Sequence, residues 1–275
     1  MRAYDYVSFT TDYGLADGFV AACHGVAWTI APHARLLDVS HLIPPGDVRR
    51  GARILAQTVP ALPPSGAHVA VVDPGVGTAR RGIAIEAERG ALIGPDNGLL
   101  LPAAAALGGV RRAVELTNAA LFRQPVSHTF HGRDIFAPVA AHLVAGVDLA
   151  EAGAALAEAE LVRLPEPVLR RGDGWIEAEV LTVDRFGNVQ LAAGEDELAG
   201  LGTAVSIGGA GGAGDAVVAA VGVTFGSVPS GELVSYVDSA GQVALAVNGS
   251  RAADRLGAAA GDVLRLTATR RVALS

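Results

Sequence analysis

Near residue 170 the apolar pattern of this chain changes period. Before "LPEPVLRRGDG" (164–174), short apolar runs alternate with longer amphipathic ones. "YVSFTTD", "ARLLDVSH" and "AHVAVVD" read as strands, and "ADGFVAACHGVAWTIA", "PGDVRRGARILAQTVPAL" and "IFAPVAAHLVAG" as helices between and after them. "RGIAIEAERGALIGPDNG" reads as two strands joined by a turn at Glu88, Arg89 and Gly90. From Trp175 on, only short β-rich runs bounded by glycine turns remain, such as "WIEAEVLTVD", "NVQLA", "TAVSIGG", "DAVVAAVGVTF", "GELVSYVD" and "QVALAVN". The pattern predicts an α/β N-terminal domain over residues 1–168, with a mostly parallel central sheet and helices on both faces. An all-β, barrel-like C-terminal domain follows over residues 172–275, with Pro165 and Pro167 stiffening the link.

Composition excludes several functions. The net charge is −7 and no basic run exceeds two residues, so nucleic acid is not an expected partner. No apolar run reaches the roughly eighteen residues of a membrane span, and "MRAYDYVSFTTDYG" has no signal-peptide core, so a cytoplasmic location is expected. The single cysteine, Cys23, rules out an intrachain disulfide and reads as core packing. All 21 basic residues are arginine, which removes lysine Schiff-base chemistry and the P-loop lysine. "GAGGAG" (209–214) fits a dinucleotide fingerprint in form, but it leads into a strand and not a helix, so it reads as a hairpin tip.

Ligands of open α/β sheets collect beyond the carboxyl ends of the strands. Three polar clusters follow apparent strands there: "TTDYGLAD" with Asp12 and Asp17, "DPGVGTAR" with Asp73 and Arg80, and "GPDNG" with Asp96 and Asn97. A fourth, "TFHGRD", brings Phe130, His131, Gly132, Arg133 and Asp134 to the start of a helix. Each has a plain structural alternative: an Asx turn or N-cap at Asp12, a tight turn at "GPDNG", an N-cap at Asp134. His131, beside a glycine just outside a helix, is the histidine best suited to face a cleft. The other six read as packing or surface residues. Asp12, Asp17, Asp73 and Asp96 with His131 would make an oxygen-rich metal site, yet no D-x-D or H-x-x-x-H spacing pre-forms one, and a metal-free pocket is expected.

The ordered set "FTTDYGLADGFVAACHG", "DVSHLIPPGDVRRGA", "VVDPGVGTARR", "IGPDNGLL", "TFHGRDIFAPVAAHLV", "VDRFGNVQL" and "SYVDSAGQVALAVNGS" resembles the S-adenosyl-L-methionine hydrolase (SAM hydroxide adenosyltransferase) family, relatives of the fluorinase and chlorinase. The resemblance spans roughly residues 6–270. It implies a homotrimer, with substrate between the N-terminal domain of one subunit and the C-terminal domain of the next. It also implies hydrolysis of S-adenosyl-L-methionine to adenosine and L-methionine, with no cofactor. The family's Asp-Arg-His set falls on Asp73, Arg80 and His131. Arg81 competes with Arg80 and is set aside on family spacing alone. Where the fluorinase is similar to this chain it has tyrosine at Asp73, threonine at Val76, tyrosine at His131 and serine at Gly132, so this chain looks like the hydrolase branch.

The resemblance further implies that Asp12 holds the ribose hydroxyls and Phe130 packs near the ribose. Asp184, with Asp17 and Ser239, would meet the methionine end. Asn188, helped by backbone around Val247 to Gly249, would read adenine, walled by Phe186 and Phe225. The halogenases' arginine after Ser239 is Ala240 here, which leaves the methionine carboxylate without its family partner. A chloride-using halogenase and a non-catalytic S-adenosylmethionine or adenosine sensor are the rival readings.

Overall fold

The computed structural model describes residues 4–212 and 216–269. The chain divides into two compact units, Met1–Leu164 and Pro165–Ser275. In the first, β1 (Tyr6–Thr11), α1 (Phe19–Ile30), β2 (Arg35–Ser40), α2 (Val48–Thr58) and β3 (Gly66–Val71) are followed by β4 (Gly82–Ala87), β5 (Gly90–Pro95), α3 (Leu101–Ala106), β6 (Val110–Leu116), α4 (Ala137–Ala145) and β7 (Gly153–Leu156). The strands form one sheet in the order β2-β1-β3-β5-β4-β6-β7.

Strands β2, β1, β3 and β5 run parallel. Pairings β5–β4, β4–β6 and β6–β7 are antiparallel, so the sheet is mixed, with its parallel half around β1 and β3. The short turn at Glu88 and Arg89 explains the change: parallel neighbours need a crossover of a dozen or more residues, and this connection can only make a hairpin. Alternation along the strands then sorts the core. Val7, Phe9, Val69 and Val71 pack with α1 and α4 on one face, and Ala70, Val72, Ile85 and Leu92 pack with α2 and α3 on the other. Cys23 lies in the first of these cores, and burial pushes its thiol up to about 12, which leaves it an inert packing residue.

One feature of this topology sets up a site. From β1 the chain crosses to β2 on one side, and from β2 it crosses back past β1 to β3 on the other. The carboxyl ends of β1 and β3 therefore flank a switch point, where a crevice opens between diverging connections. Thr11 pairs with Val71 in register, which brings the residues that follow, Asp12 and Asp73, out at the same edge.

The second unit is a closed barrel. It comprises β8 (Leu169–Gly172), β9 (Trp175–Val183), β10 (Val189–Gly194), α5 (Glu195–Ala199), β11 (Ala204–Gly209), β12 (Val217–Val221), β13 (Leu233–Val237), β14 (Gln242–Val247), α6 (Ala252–Leu256) and β15 (Val263–Ala268). Strands run β10-β14-β13-β12-β11-β15-β9 and close through a β9–β10 pairing, with β8 added outside on β9. Every second residue points inward, including Ile176, Ala178 and Val180, then Val243, Leu245 and Val247. Of "GAGGAG", Gly209 ends β11 and Ala210 to Gly212 form a turn, while Ala213 and Gly214 lie outside the described residues. β11 and β12 pair antiparallel, so the next element after Gly212 among the described residues is a strand and not a helix.

His68, on β3, is 1% exposed and shares a 2.7 Å hydrogen bond with Ser8. Burial lowers its pKa to about 4, against an ordinary value of 6.5. The unfolded chain thus takes up a proton below pH 6.5 that the fold refuses until about pH 4, and stability falls as pH drops through that window. Denaturant unfolding of the first unit should lose about 2 kcal/mol more between pH 7 and pH 5 in the wild type than in His68→Gln.

Candidate active site

A cleft opens at the switch point, lined by Asp12, Tyr13, Gly46, Val71, Asp73, Pro74, Val76, Thr129, His131 and Gly132. Asp73 leaves the end of β3 and enters a tight double turn. Val76 N–H donates to Asp73 O at 3.2 Å, and Thr78 N–H and hydroxyl both donate to Gly75 O, at 3.2 and 2.7 Å. Gly77 is required here: its φ is +77°, and a Cβ would come within 2.4 Å of the His128 carbonyl oxygen. The turn sends the chain back so that Arg80 meets Asp73 in a two-pronged fork, Nε to Oδ1 at 3.1 Å and Nη2 to Oδ2 at 2.5 Å. Both side chains are nearly closed to solvent, at 9% and 4% exposure.

The same Nη2 reaches His131 Nδ1 at 3.0 Å. Arginine is only a donor, so Nδ1 is the acceptor and the neutral ring carries its proton on Nε2. Burial raises the Asp73 pKa above its ordinary value, and Arg80 pulls only part of that back. Burial, then the Arg80 charge, lowers the His131 pKa. The outcome is a basic carboxylate, a permanent cation and a neutral imidazole in contact.

His131 stands immediately before a π-helical turn, Gly132–Phe136, that runs into α4. Asp134 inside that turn is fully buried and does not cap the helix, contrary to the N-cap expectation. It accepts from Arg133 at 2.7 and 2.8 Å, Arg123 at 3.1 Å and Ser127 N–H at 2.9 Å, and so pins the loop that delivers His131. Burial pushes its pKa up, but these donors together hold it below the ordinary carboxylate value. Gly132 packs against Tyr13, where a Cβ would sit 1.9 Å from the phenol oxygen. Tyr13, Phe19 and Phe130 form an aromatic cluster with centroids 5.3 to 5.9 Å apart, Phe130 meeting both of the others edge-to-face.

Asp12 lines the cleft, with Oδ2 accepting from Gly46 N–H at 2.8 Å. Asp17 is exposed and lies outside the lining. Asp96 and Asn97 serve the fold: Asp96 accepts from Arg81 at 3.0 and 2.5 Å and from Val162 N–H at 2.9 Å, and Asn97 donates to Val72 O. The oxygen-rich cluster considered from sequence is therefore not assembled. Arg81 is committed to Asp96, which leaves Arg80 as the arginine on Asp73.

In the second unit, Asp184 organises the β9–β10 turn. Its Oδ1 accepts from the N–H groups of Phe186 and Asn188, and its Oδ2 from the Asn188 side-chain amide, each at 2.8 Å. Phe186, 75% exposed, projects from this turn. Ser239 is exposed in the β13–β14 turn, held by Asp238 accepting from Ala240 and Gln242 N–H groups. Val247 is buried at the end of β14, and Gly249 follows in an exposed turn, with Phe225 exposed after β12. Tyr236, on β13 and not singled out from the sequence, is half-buried, and burial, then Asp238 and Asp184, raise its pKa.

Removing Arg81 strands a carboxylate that is 2% exposed, whereas Arg80 forms the fork on Asp73 at the cleft. Arg81→Ala should cost about 3 kcal/mol of stability and leave turnover of the folded enzyme within a few-fold. Thermal unfolding and kcat measured on both arginine variants separate the two roles.

Residues 7–153 match the SAM hydroxide adenosyltransferase N-terminal domain, and residues 178–265 match the C-terminal domain of the same family. A Salinispora tropica protein named (R)-S-adenosyl-L-methionine hydrolase is 60% identical over 263 residues, 96% of this chain and 98% of its own length. A Thermus thermophilus protein of the same name is 40% identical over 267 residues, 94% of this chain and 98% of its own. A fluorinase of an Actinoplanes species is 30% identical over 208 residues, 66% of this chain and 70% of its own. The crystal structure of an uncharacterized conserved protein from Thermotoga maritima aligns at a TM-score of 0.86 and 35% identity, covering 95% of this chain and 99% of that one. By the domain matches, the full-length relatives and the fold together, the chain belongs to the SAM hydroxide adenosyltransferase family.

Proposed function

We propose that this protein hydrolyses S-adenosyl-L-methionine to adenosine and L-methionine, with Asp73, Arg80 and His131 as the catalytic residues and no metal in the reaction. The observation that carries the reading is the fork of Arg80 on Asp73 with His131 on the same guanidinium, Asp73 and His131 lining a cleft shared with Asp12. Relatives at 60% and 40% identity bear the hydrolase name, which supports the same activity here.

The chemistry asks little beyond positioning. A water oxygen forms the bond to ribose C5′ while the C5′–S electrons return to sulfur, which departs as a neutral thioether and needs neither acid nor Lewis acid. Fixing the water in line converts a bimolecular step into an effectively unimolecular one. His131, protonated on Nε2, donates to the water oxygen, and Asp73 accepts the water's proton. Of the two, Asp73 is the acceptor, because Arg80 occupies the one lone pair of the imidazole. Arg80 also keeps Asp73 aimed and favours developing hydroxide.

In this reading Asp12 holds the ribose 2′- and 3′-hydroxyls, with Phe130 alongside. The other half of the substrate meets Asp17, and Asp184, Phe186, Asn188, Ser239, Val247, Gly249 and Phe225 from the neighbouring subunit of a cytoplasmic homotrimer. With one Asn188 amide hydrogen given to Asp184, its carbonyl oxygen and remaining hydrogen are left for the adenine edge. A sedimentation mass of one 27.8 kDa chain would remove the trimer from this account. The relatives' (R) descriptor refers to the sulfonium, since the amino-acid centre is already specified as L; assays with separated sulfonium epimers should find the (R) form consumed.

Asp73→Asn is expected to lower kcat by roughly 10²–10⁴-fold while adenosine affinity changes little. Asp73 must be ionised and His131 neutral, and both conditions fail on the acid side. The pH profile of kcat/KM should therefore fall toward acid between the ordinary aspartate value of 3.8 and the ordinary histidine value of 6.5. Nucleoside analysis in excess chloride checks the halogenase reading: 5′-chloro-5′-deoxyadenosine in place of adenosine would overturn hydrolysis. Tight binding without turnover would favour a sensor. Gly132→Ser places a side chain on Tyr13 and should lower kcat/KM without yielding any halogenated product.

A further inference from the structure

A second cluster lies behind β1, and none of its side chains lines the cleft. His24 of α1 and Asp38 of β2 meet at 2.9 Å, Nε2 to Oδ1. His41, just beyond β2, brings its own Nε2 to 3.0 Å from the same oxygen. One ligand atom from each residue lies within 4.8 Å of the others, the single such group of three or more among the described residues.

His41 is the informative member. It is 4% exposed, and its Nε2 makes no hydrogen bond although a carboxylate oxygen is 3.0 Å away. The distance is right and the direction is wrong. A buried polar atom left in this way is destabilising unless something else satisfies it. Its other nitrogen, Nδ1, sits 2.8 Å from Thr11 Oγ1. When Nδ1–H donates to that hydroxyl, Nε2 carries only a lone pair and stands 3.0 Å from the Asp38 oxygen, acceptor beside acceptor, an arrangement that a shared cation resolves. Fixing a ligand imidazole through its second nitrogen is the usual outer support of a metal site.

We propose that His24, Asp38 and His41 bind a divalent transition-metal ion of the zinc, cobalt or nickel class. Two imidazoles and one carboxylate suit these ions and not magnesium or calcium, which prefer all-oxygen sets. Asp38, 42% exposed in its side chain, leaves an approach from solvent and room for a water as further ligand. The ion would tie α1, the end of β2 and the end of β1 together. Gly14 N–H donates to His41 O at 2.8 Å and Tyr13 N–H to Thr11 Oγ1 at 3.2 Å, so the brace reaches the segment that carries Asp12. The role is structural, and hydrolysis at the cleft stays metal-free.

The test uses full-length, untagged protein freed of metal with a chelator, titrated with zinc by calorimetry and with cobalt by visible absorption. The expected result is one ion per chain, a higher Tm with zinc, and cobalt bands of a low-coordinate nitrogen–oxygen site. His24→Ala, at the more exposed of the two histidines, and Asp38→Asn should each weaken binding about tenfold or more, with unchanged circular dichroism as the check on folding. Wild-type affinity and stoichiometry in His24→Ala, or no saturable binding to the wild type, would overturn the proposal and leave a His24–Asp38 hydrogen bond with His41 beside it. Turnover by the metal-free protein is read separately and bears only on the hydrolase reading.

Discussion

The fork between Arg80 and Asp73 is the interaction on which the rest of the cleft depends. A carboxylate 4% exposed is costly to keep charged, and a guanidinium that satisfies both of its oxygens is what makes the arrangement tenable. The same guanidinium has a donor left for His131, and that contact fixes which imidazole nitrogen holds the proton. One cation thus offsets part of the burial that raises the pKa of the acid, fixes the tautomer of the ring and aims both. Replacing it by any shorter or single-point cation would lose at least one of these, since only arginine offers several donors in a rigid plane.

Backbone geometry supplies what the fork needs. Asp73 and Asp12 emerge together because β1 and β3 are parallel neighbours in register across a switch point. His131 arrives from a distant part of the chain, delivered by a loop that buried Asp134 anchors through two arginines and a backbone N–H. The two glycines that most constrain this region do so by close approach: Gly77 to the His128 carbonyl and Gly132 to Tyr13.

Much of this was legible in the residues. The strand-ending acids, the glycine turn and the arginine seven positions on carried the cleft, and the period change near residue 170 carried the barrel. Other parts were not. Asp96 and Asp134 sit in motifs as suggestive as that of Asp73, yet both bind arginines and loop N–H groups for the fold, and a one-dimensional pattern cannot tell a ligand acid from a structural one. The His24, Asp38 and His41 group went unseen because its members lie on a helix, a strand and a loop, with no spacing that announces a shared centre.

By itself the sequence determined the two-part architecture, since periods of roughly two and 3.6 residues are local properties that need no partner to be read. It also determined the chemical inventory: an arginine-only basic set, one inert cysteine and acids where strands end. Tertiary structure alone decided which acid met which arginine. Arg80 and Arg81 are chain neighbours at the edge of β4, and opposite side-chain directions send one to Asp73 and the other to Asp96. That choice rests on the side-chain alternation of an extended backbone and on register between paired strands, which exist only once the sheet has formed.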